Sequence, residues 1–476
     1  MSQIKAPYIL WSPPTEQPES DCACPDWGLA PAFTSATVTA AAWQLAPGLY
    51  RAPLPSDHTL ALNPCGPAGV VVLNEPARAI LDSFAHPRPL ANINETQLVA
   101  RGLLAPVASP QAPIADLQPG TLTAWLHITN ACNLRCAYCY LKKTDETMDE
   151  ATGRAAVEAI FRSAVRHGFQ AVKLKYAGGE PTLNFRLVRL LHEYAQALAT
   201  RAGLELREVV LSNGVALSHP MLDFIRDAGM RLMISLDGVG AAHDAQRIFA
   251  NGRGSFELVA RGVERALSQG VRPYISITVT GRSMDGLADA VAFALDHDLL
   301  FNLNFYRGDD YSRSREELLI EDERLIGAAR AAFVIIEERL PRQSLIATLL
   351  DRASFSAPHR HTCGAGRNYL VIDPRGRVAR CQMEMEDTIT DVWADDPLAA
   401  VRRKGLGFQN VSVDEREGCG ECPWRYWCGG GCPLLTYRVA RRSDVKSPYC
   451  NVYRALYPEV LRLEGLRLLK WHAPPS

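Results

Sequence analysis

The chain has 476 residues, 51 Lys+Arg against 52 Asp+Glu and a formal net charge of −1; this exceeds what one hydrophobic core usually organises, so two or three domains are expected, one of them large. The near-neutral balance, without basic blocks, excludes long-range attraction to nucleic acid or to an anionic membrane surface. With no apolar signal core in MSQIKAPYILWSPP and no run near the roughly 18 apolar residues of a membrane span, a cytoplasmic protein is predicted.

Residues 1–118 are rich in Pro and Ala. An irregular stretch through about Pro47 gives way to short apolar runs at 49–54, 59–62 and 70–73 and a helix-like segment at 76–84, which together predict a small β-then-α module. The Pro-rich passage 105–119 reads as a linker. From Thr121 the pattern alternates. Strands are predicted at 123–129, 172–176, 208–211, 231–235, 274–280 and 301–305, with amphipathic helices at 149–166, 185–199, 256–268 and 287–296 between them. This α/β pattern predicts a partial (β/α)6 barrel over 119–345, with an open doubly wound sheet as the alternative. A charged helix at 321–339 leads into a Cys-rich region, 346–455, and helical periodicity at 458–471 marks a C-terminal helix within 456–476.

Thirteen cysteines in a chain read as cytoplasmic and large enough to need no staples predict metal ligation over a disulfide framework. Cys132, Cys136 and Cys139, in CNLRCAYC, follow the first barrel strand, where α/β folds place active-site loops. Three thiolates on an iron–sulfur cubane leave one iron open to bind and activate a small molecule. A zinc site is the plainer alternative, but it needs a fourth ligand, and only His127 is near in sequence.

With Tyr138 before its last Cys and Tyr140 after it, this C-x3-C-x2-C resembles the signature of the radical SAM superfamily. Gly178-Gly179-Glu180-Pro181, after the second strand, is similar to the family's GGEP loop, which implies that its backbone and Glu180 hold the amino group of S-adenosylmethionine. Residues 211–214 and 234–238, followed by His243, Asp244 and Arg247, resemble the family's elements around the ribose and carboxylate, with Ser235 and Arg247 as candidates; a strand cap or a surface charge is the bland reading of each. The resemblance implies that a reduced cluster gives one electron to S-adenosylmethionine, yielding methionine and a 5′-deoxyadenosyl radical that abstracts hydrogen from an unactivated C–H bond. No catalytic acid or base is assigned. Asp237, Tyr306, Arg307 and Asp309 sit near strand ends, where structural caps are the commoner outcome.

Downstream, Cys363 and Cys381 precede Cys419-x2-Cys422-x5-Cys428-x3-Cys432 and then Cys450, a pattern that resembles the SPASM domain and its two auxiliary clusters. By position, Cys419, Cys422, Cys428 and Cys450 would ligate the outer cluster and Cys363, Cys381 and Cys432 the inner one, giving three iron–sulfur clusters in all. The inner set is one thiolate short. His359, His361 or water completes it, or it stays open to a substrate thiolate. A zinc ribbon is the alternative for the whole region. Cys22, Cys24 and Cys65 read as idle or buried thiols.

The N-terminal segment around 70–75, 76–84 and 102–104 resembles the winged-helix leader-recognition modules related to the pyrroloquinoline quinone carrier family, although 88–94 carries no pattern for the expected middle helix. An extended leader would add a strand to its sheet edge. The combination implies a maturase of a ribosomal precursor peptide or protein, served by a low-potential electron donor such as a flavodoxin or ferredoxin. A thioether crosslink is the first expectation. Sulfatase-type oxidation of Cys or Ser to formylglycine, C–C crosslinking or epimerisation, and a zinc-stabilised binding protein are the alternatives.

Overall fold

The computed structural model describes residues 6–12, 40–66, 69–108, 120–308, 316–351, 358–403, 405 and 407–474. Cys22, Cys24, Asp309 and most of the expected linker lie outside them. Six short strands form the N-terminal part: β1 (Ile9–Trp11), β2 (Trp43–Leu45), β3 (Tyr50–Leu54), β4 (His58–Leu62), β5 (Val71–Leu73) and β6 (Leu104–Pro106). Four of them make an antiparallel sheet in the order β1-β5-β4-β3, and β2 pairs with β6. The stretch read as irregular thus contributes β1 and β2. Helices follow at Glu75–Asp82 and Ile93–Ala100. The second corrects the absent middle helix: Asn92 accepts from the Glu95 amide at 3.2 Å while Glu95 reaches back to the Ala91 amide. That reciprocal cap sets the helix start without any apolar periodicity. Trp43, Leu73, Phe84, Leu98 and Leu103 close the core of this module.

Beyond it, β7 (Thr121–Thr129), β8 (Ala171–Gly178), β9 (Glu205–Ser212), β10 (Arg231–Ser235), β11 (Tyr274–Val279) and β12 (Phe301–Phe305) are all parallel and pair in chain order. A helix succeeds each strand, at Glu150–Arg166, Phe185–Ala202, His219–Asp227, Phe256–Ser268, Leu287–Asp296 and Asp322–Arg339. Crossovers of the usual right hand in this unreversed order place every helix on the same face of the sheet; a doubly wound sheet would reverse its order.

Strand alternation then divides the residues. Leu122, Ala124, Leu126, Val172, Leu174, Ile234, Ile275, Ile277 and Leu303 join the helices in the main core. The alternate set, Trp125, Ala177, Leu211, Met233, Ser235, Ser276, Thr278, Asn302 and Asn304, lines a cavity instead.

The sheet does not stop at β7. β13 (Tyr369–Ile372) adds to it in parallel, followed antiparallel by β14 (Arg377–Ala379) and β15 (Thr388–Asp391). Part of the Cys-rich region therefore shares one sheet with the preceding strands. The last helix, Cys450–His472, starts at Cys450, six residues before the expected 456. It packs on the helix Asp322–Arg339 and on β1, β3, β4 and β5. Gly465 permits this approach, since a Cβ there would stand 2.8 Å from Leu54 Cδ1.

One buried ion pair fastens that helix. Arg467 donates to Glu464 at 2.8 and 3.0 Å, to the Arg342 carbonyl at 2.7 Å and to Ser12 Oγ at 3.4 Å, and Ser344 donates to Glu464 at 3.0 Å. Removing one partner strands the other charge in the interior. Glu464→Ala should cost about 3–5 kcal/mol, whereas an apolar replacement of both residues should be near neutral; midpoints in denaturant titrations check both.

Candidate active site

The loop 130–139 after β7 has little secondary structure of its own and is held by its neighbours. Arg135 and Ala137 amides donate to the carbonyls of Ile248 (2.6 Å) and Gln246 (2.8 Å). On the other flank Asn213 Nδ2 donates to Asn133 Oδ1 at 2.7 Å. Beneath, Gly179 and Glu180 amides donate to Thr129 (2.6 Å) and Ala131 (2.9 Å) carbonyls. These contacts require the glycines: a Cβ on Gly178, whose φ is +148°, would meet the Thr129 oxygen at 2.5 Å, and one on Gly179 would overlap the Ala131 oxygen.

So held, Cys132, Cys136 and Cys139 bring their thiols within electrostatic reach of one another at the cavity. Burial pushes the Cys136 thiol up to about 12 against the pull of Arg247, with Cys139 and Cys132 adding to the rise. Burial also raises Cys132. Ionising these two neighbours at neutral pH calls for added positive charge, which cluster iron would supply. Among the described residues no group of three His, Cys, Asp or Glu is gathered as a single metal ion demands. His127 offers no missing fourth ligand. Its Nε2 lies 2.8 Å from Asn130 Oδ1, Trp125 donates to its Nδ1 at 3.5 Å, and burial holds it neutral, pushed down to about 4.

The cavity, of about 270 Å³, has these thiols on one wall and Gly178, Gly179, Asn213, Ser235, Arg247 and Thr278 on the others. That size is near the lower end for small-molecule pockets, and apolar walls with a few convergent polar groups suit an amphipathic ligand such as S-adenosylmethionine. Two expected carboxylates sit elsewhere. Glu180 is buried behind the cavity, accepting from Thr182 Oγ1 (2.7 Å), Ser212 Oγ (3.0 Å) and the Asn213 amide (2.7 Å). It positions the GGEP and 212–214 loops against each other. Pro181 likewise is buried, at the head of a short 3-10 turn, Pro181–Asn184.

Asp237 is the second. It accepts from Tyr138 Oη at 2.7 Å, Gln246 Nε2 at 3.0 Å and the Thr278 amide at 2.8 Å, and pairs with Arg247 at 3.5 Å. Arg247 also donates to Tyr138 Oη. Tyr138, inside the cysteine motif, thereby links the motif to β10, β11 and the segment 241–248. Tyr306 and Arg307 do line the cavity, and Arg307 pairs with buried Asp351.

The seven later cysteines fall into two neighbourhoods. Burial pushes Cys381 up to about 12, and Cys432 and Cys363 are the thiols that add to it. Cys419 feels burial first and then Cys450 and Cys422; burial lifts Cys428 to about 11, with Cys419 and Cys450 adding; Cys450 feels burial and then Cys422. The residues after Cys381, Gln382 and Met383, form part of the cavity wall. His361 is engaged by Arg367 Nη1 at 2.8 Å, and His359 packs where a Cβ on Gly429 would fall. Sequence reading missed the wall residues Trp125, Gln382 and Met383, the hub role of Asp237 and the Asn133–Asn213 contact.

Residues 126–294 match the model of the Radical SAM superfamily, a family that implies S-adenosylmethionine and a 4Fe–4S cluster. The chain is 25% identical over 171 residues to an uncharacterized protein of Methanocaldococcus jannaschii, a match spanning 36% of this chain and 57% of that one. It is 24% identical over 352 residues to the PqqA peptide cyclase of Xanthomonas euvesicatoria (71% of this chain, 89% of the relative). The pre-heme d1 synthase of Dinoroseobacter shibae is 28% identical over 383 residues (72% and 89%). In fold the chain resembles native anSMEcpe with bound AdoMet, with a TM-score of 0.60 and 17% identity over 73% of this chain and 99% of that one. No helix among the described residues is long and apolar enough to cross a membrane.

Asp237→Ala should expose the dependence of the motif on its hub. Stability should fall by about 3–5 kcal/mol because Arg247 loses its buried counter-charge, and iron should be lost from the Cys132–Cys139 site first. Thermal melting and iron content after anaerobic reconstitution check this, with Asp237→Asn expected to lose less.

Proposed function

We propose that this chain is a radical SAM maturase that modifies a side chain of a ribosomally made peptide or partner protein. The observation that carries the reading is a groove of about 870 Å³ beside the cavity, which shares Tyr140, Leu141, Gln382 and Met383 with its wall. A small molecule fits the cavity alone; an extended chain uses both. The likeness to a peptide cyclase supports the same substrate class. The pre-heme d1 synthase likeness favours a heme precursor, but the groove carries both signs, with Lys142, Arg375 and Arg441 beside Glu384, Glu386 and Asp387. Mixed charge suits a peptide better than a ligand of one sign.

In this reading a partial (β/α)6 barrel bears the first cluster on Cys132, Cys136 and Cys139, and a SPASM-like region bears two more, on Cys363, Cys381 and Cys432 and on Cys419, Cys422, Cys428 and Cys450. When bound, the first cluster with S-adenosylmethionine supplies a hydrogen-abstracting 5′-deoxyadenosyl radical. The chain's own groups orient and enclose: Gly178 and Gly179 offer backbone beside the amino acid end of S-adenosylmethionine, Ser235 and Arg247 offer polar groups to its ribose and carboxylate, and Trp125, Met233 and Phe305 exclude water. A thioether product is preferred because Cys381 leads directly into the cavity wall, so a substrate thiolate held at the incomplete inner set lies beside the radical. The N-terminal sheet, with β1 and β3 at its edges, offers strand addition to a leader segment.

Anaerobically reconstituted protein with S-adenosylmethionine and dithionite should release 5′-deoxyadenosine and hold about twelve iron, and the Cys132→Ala/Cys136→Ala/Cys139→Ala variant should hold about eight and release none. Zinc in place of iron, or no 5′-deoxyadenosine from the wild type, would sink the reading. For the bond formed, a Cys-containing peptide product should lose two hydrogens and resist thiol alkylation; a product that still alkylates overturns the thioether.

A further inference from the structure

Arg416 lies between the two downstream cysteine groups and is 2% exposed. Nη1 donates to the Gly430 carbonyl at 2.9 Å and Nε to the Val411 carbonyl at 3.2 Å, whereas Nη2 is buried with no acceptor among the described residues. A guanidinium stays protonated in a protein, so this is a fixed positive charge in the interior with one donor atom unspent. No carboxylate pairs with it among the ion pairs of the described residues. The charges that act on it are thiols: Cys419 and Cys428 of one group, Cys363 and Cys432 of the other.

The backbone is shaped around it. Gly430, between Cys428 and Cys432, has φ +85°, and a Cβ there would stand 2.6 Å from Arg416 Cδ and Nε. The Arg416 carbonyl accepts from the Cys419 amide at 3.1 Å. One residue is thus anchored by its side chain to the 428–432 loop, which carries a cysteine of each group, and by its carbonyl to Cys419. A buried cation without a carboxylate partner costs several kcal/mol, which an anionic cluster on either side offsets.

Resting on the three-cluster reading above, we propose that Arg416 is a shared electrostatic support for both auxiliary clusters: its guanidinium lies between them, donates through Nη2 to cluster sulfur or ligating thiolate, and favours the reduced state of each. When a cluster accepts one electron from a low-potential donor it gains one negative charge, and the adjacent cation stabilises that state. Charge and hydrogen bonds to sulfur are the levers a protein has on such potentials. Arg416 is a positioning residue; it touches no substrate.

The test is an EPR-monitored redox titration with dithionite in the Cys132→Ala/Cys136→Ala/Cys139→Ala background, which removes the first cluster's signal. Arg416→Gln and Arg416→Lys are compared with Arg416 itself, with iron measured in each. With about eight iron retained, Arg416→Gln should lower the reduced-to-oxidised ratio of the auxiliary signals about tenfold at fixed potential, a shift of about 59 mV for a one-electron couple, and Arg416→Lys should restore most of it. Loss of iron in Arg416→Gln but not in Arg416→Lys also supports the proposal, because Lys keeps the positive charge that Gln removes. Unchanged midpoints in Arg416→Gln, or equal iron loss in both variants, overturn it. If the background protein with Arg416 holds no auxiliary iron, the cluster reading itself has failed, a result separate from either.

Discussion

The buried carboxylate of Asp237 is the point on which the site depends. Three thiols converge from a loop without regular structure, and such a loop samples many conformations unless its backbone and side chains are tied down. Asp237 ties them at one atom pair: Oδ2 accepts from Tyr138 in the motif and from Gln246 in the next crossover, and Oδ1 accepts from the Thr278 amide on β11. Arg247 balances the charge and reaches toward Cys136. Asp237, near a strand end where a structural cap is the commoner expectation, works as a fastener.

The same economy governs the opposite side of the loop. Glu180 spends its carboxylate on Thr182, Ser212 and Asn213, and Asn213 passes the constraint on to Asn133 and approaches Cys132 Sγ at 3.8 Å. Two buried carboxylates, one on each flank, fix the loop through hydrogen bonds. Each is buried and holds several donors, so each is costly to remove singly. The cavity face is left to neutral groups, Ser235, Ser276, Thr278, Asn302 and Asn304, with Lys143, Arg247 and Arg307 as cations.

Much of this architecture was legible because strand alternation and Cys spacing are local signals. The six parallel strands were readable to within a few residues, since each places apolar side chains toward the helices at period two. The helix Ile93–Ala100 was not readable from periodicity; its signal was the Asn92–Glu95 cap. β1 and β2 were missed because three-residue strands carry too little pattern to register. The addition of β13 to β7 was beyond reach, as pairing between segments some 240 residues apart leaves no local trace. For Glu180 and Asp237 the sequence marked the right loops and could not say which way the side chains turn.

The C-terminal helix joins these parts mechanically. It begins at Cys450 in one cysteine group, carries Tyr453 and Tyr457, and ends against the N-terminal sheet through Gly465 and the Glu464–Arg467 pair. Its rings extend a packed series: Tyr50 of β3 lies 5.1 Å from Trp424, Trp424 lies 5.4 Å from Tyr457, Tyr457 lies 6.1 Å from Tyr453, and Tyr453 lies 6.4 Å from Phe305 of the cavity wall. Trp424 stands between Cys422 and Cys428 in sequence, so the series passes the outer cysteine group on its way from the N-terminal sheet to the cavity. Close-packed aromatic contacts of this kind yield little without moving their neighbours. A segment added at the N-terminal sheet would therefore press on elements that reach both the Cys419–Cys450 group and the cavity.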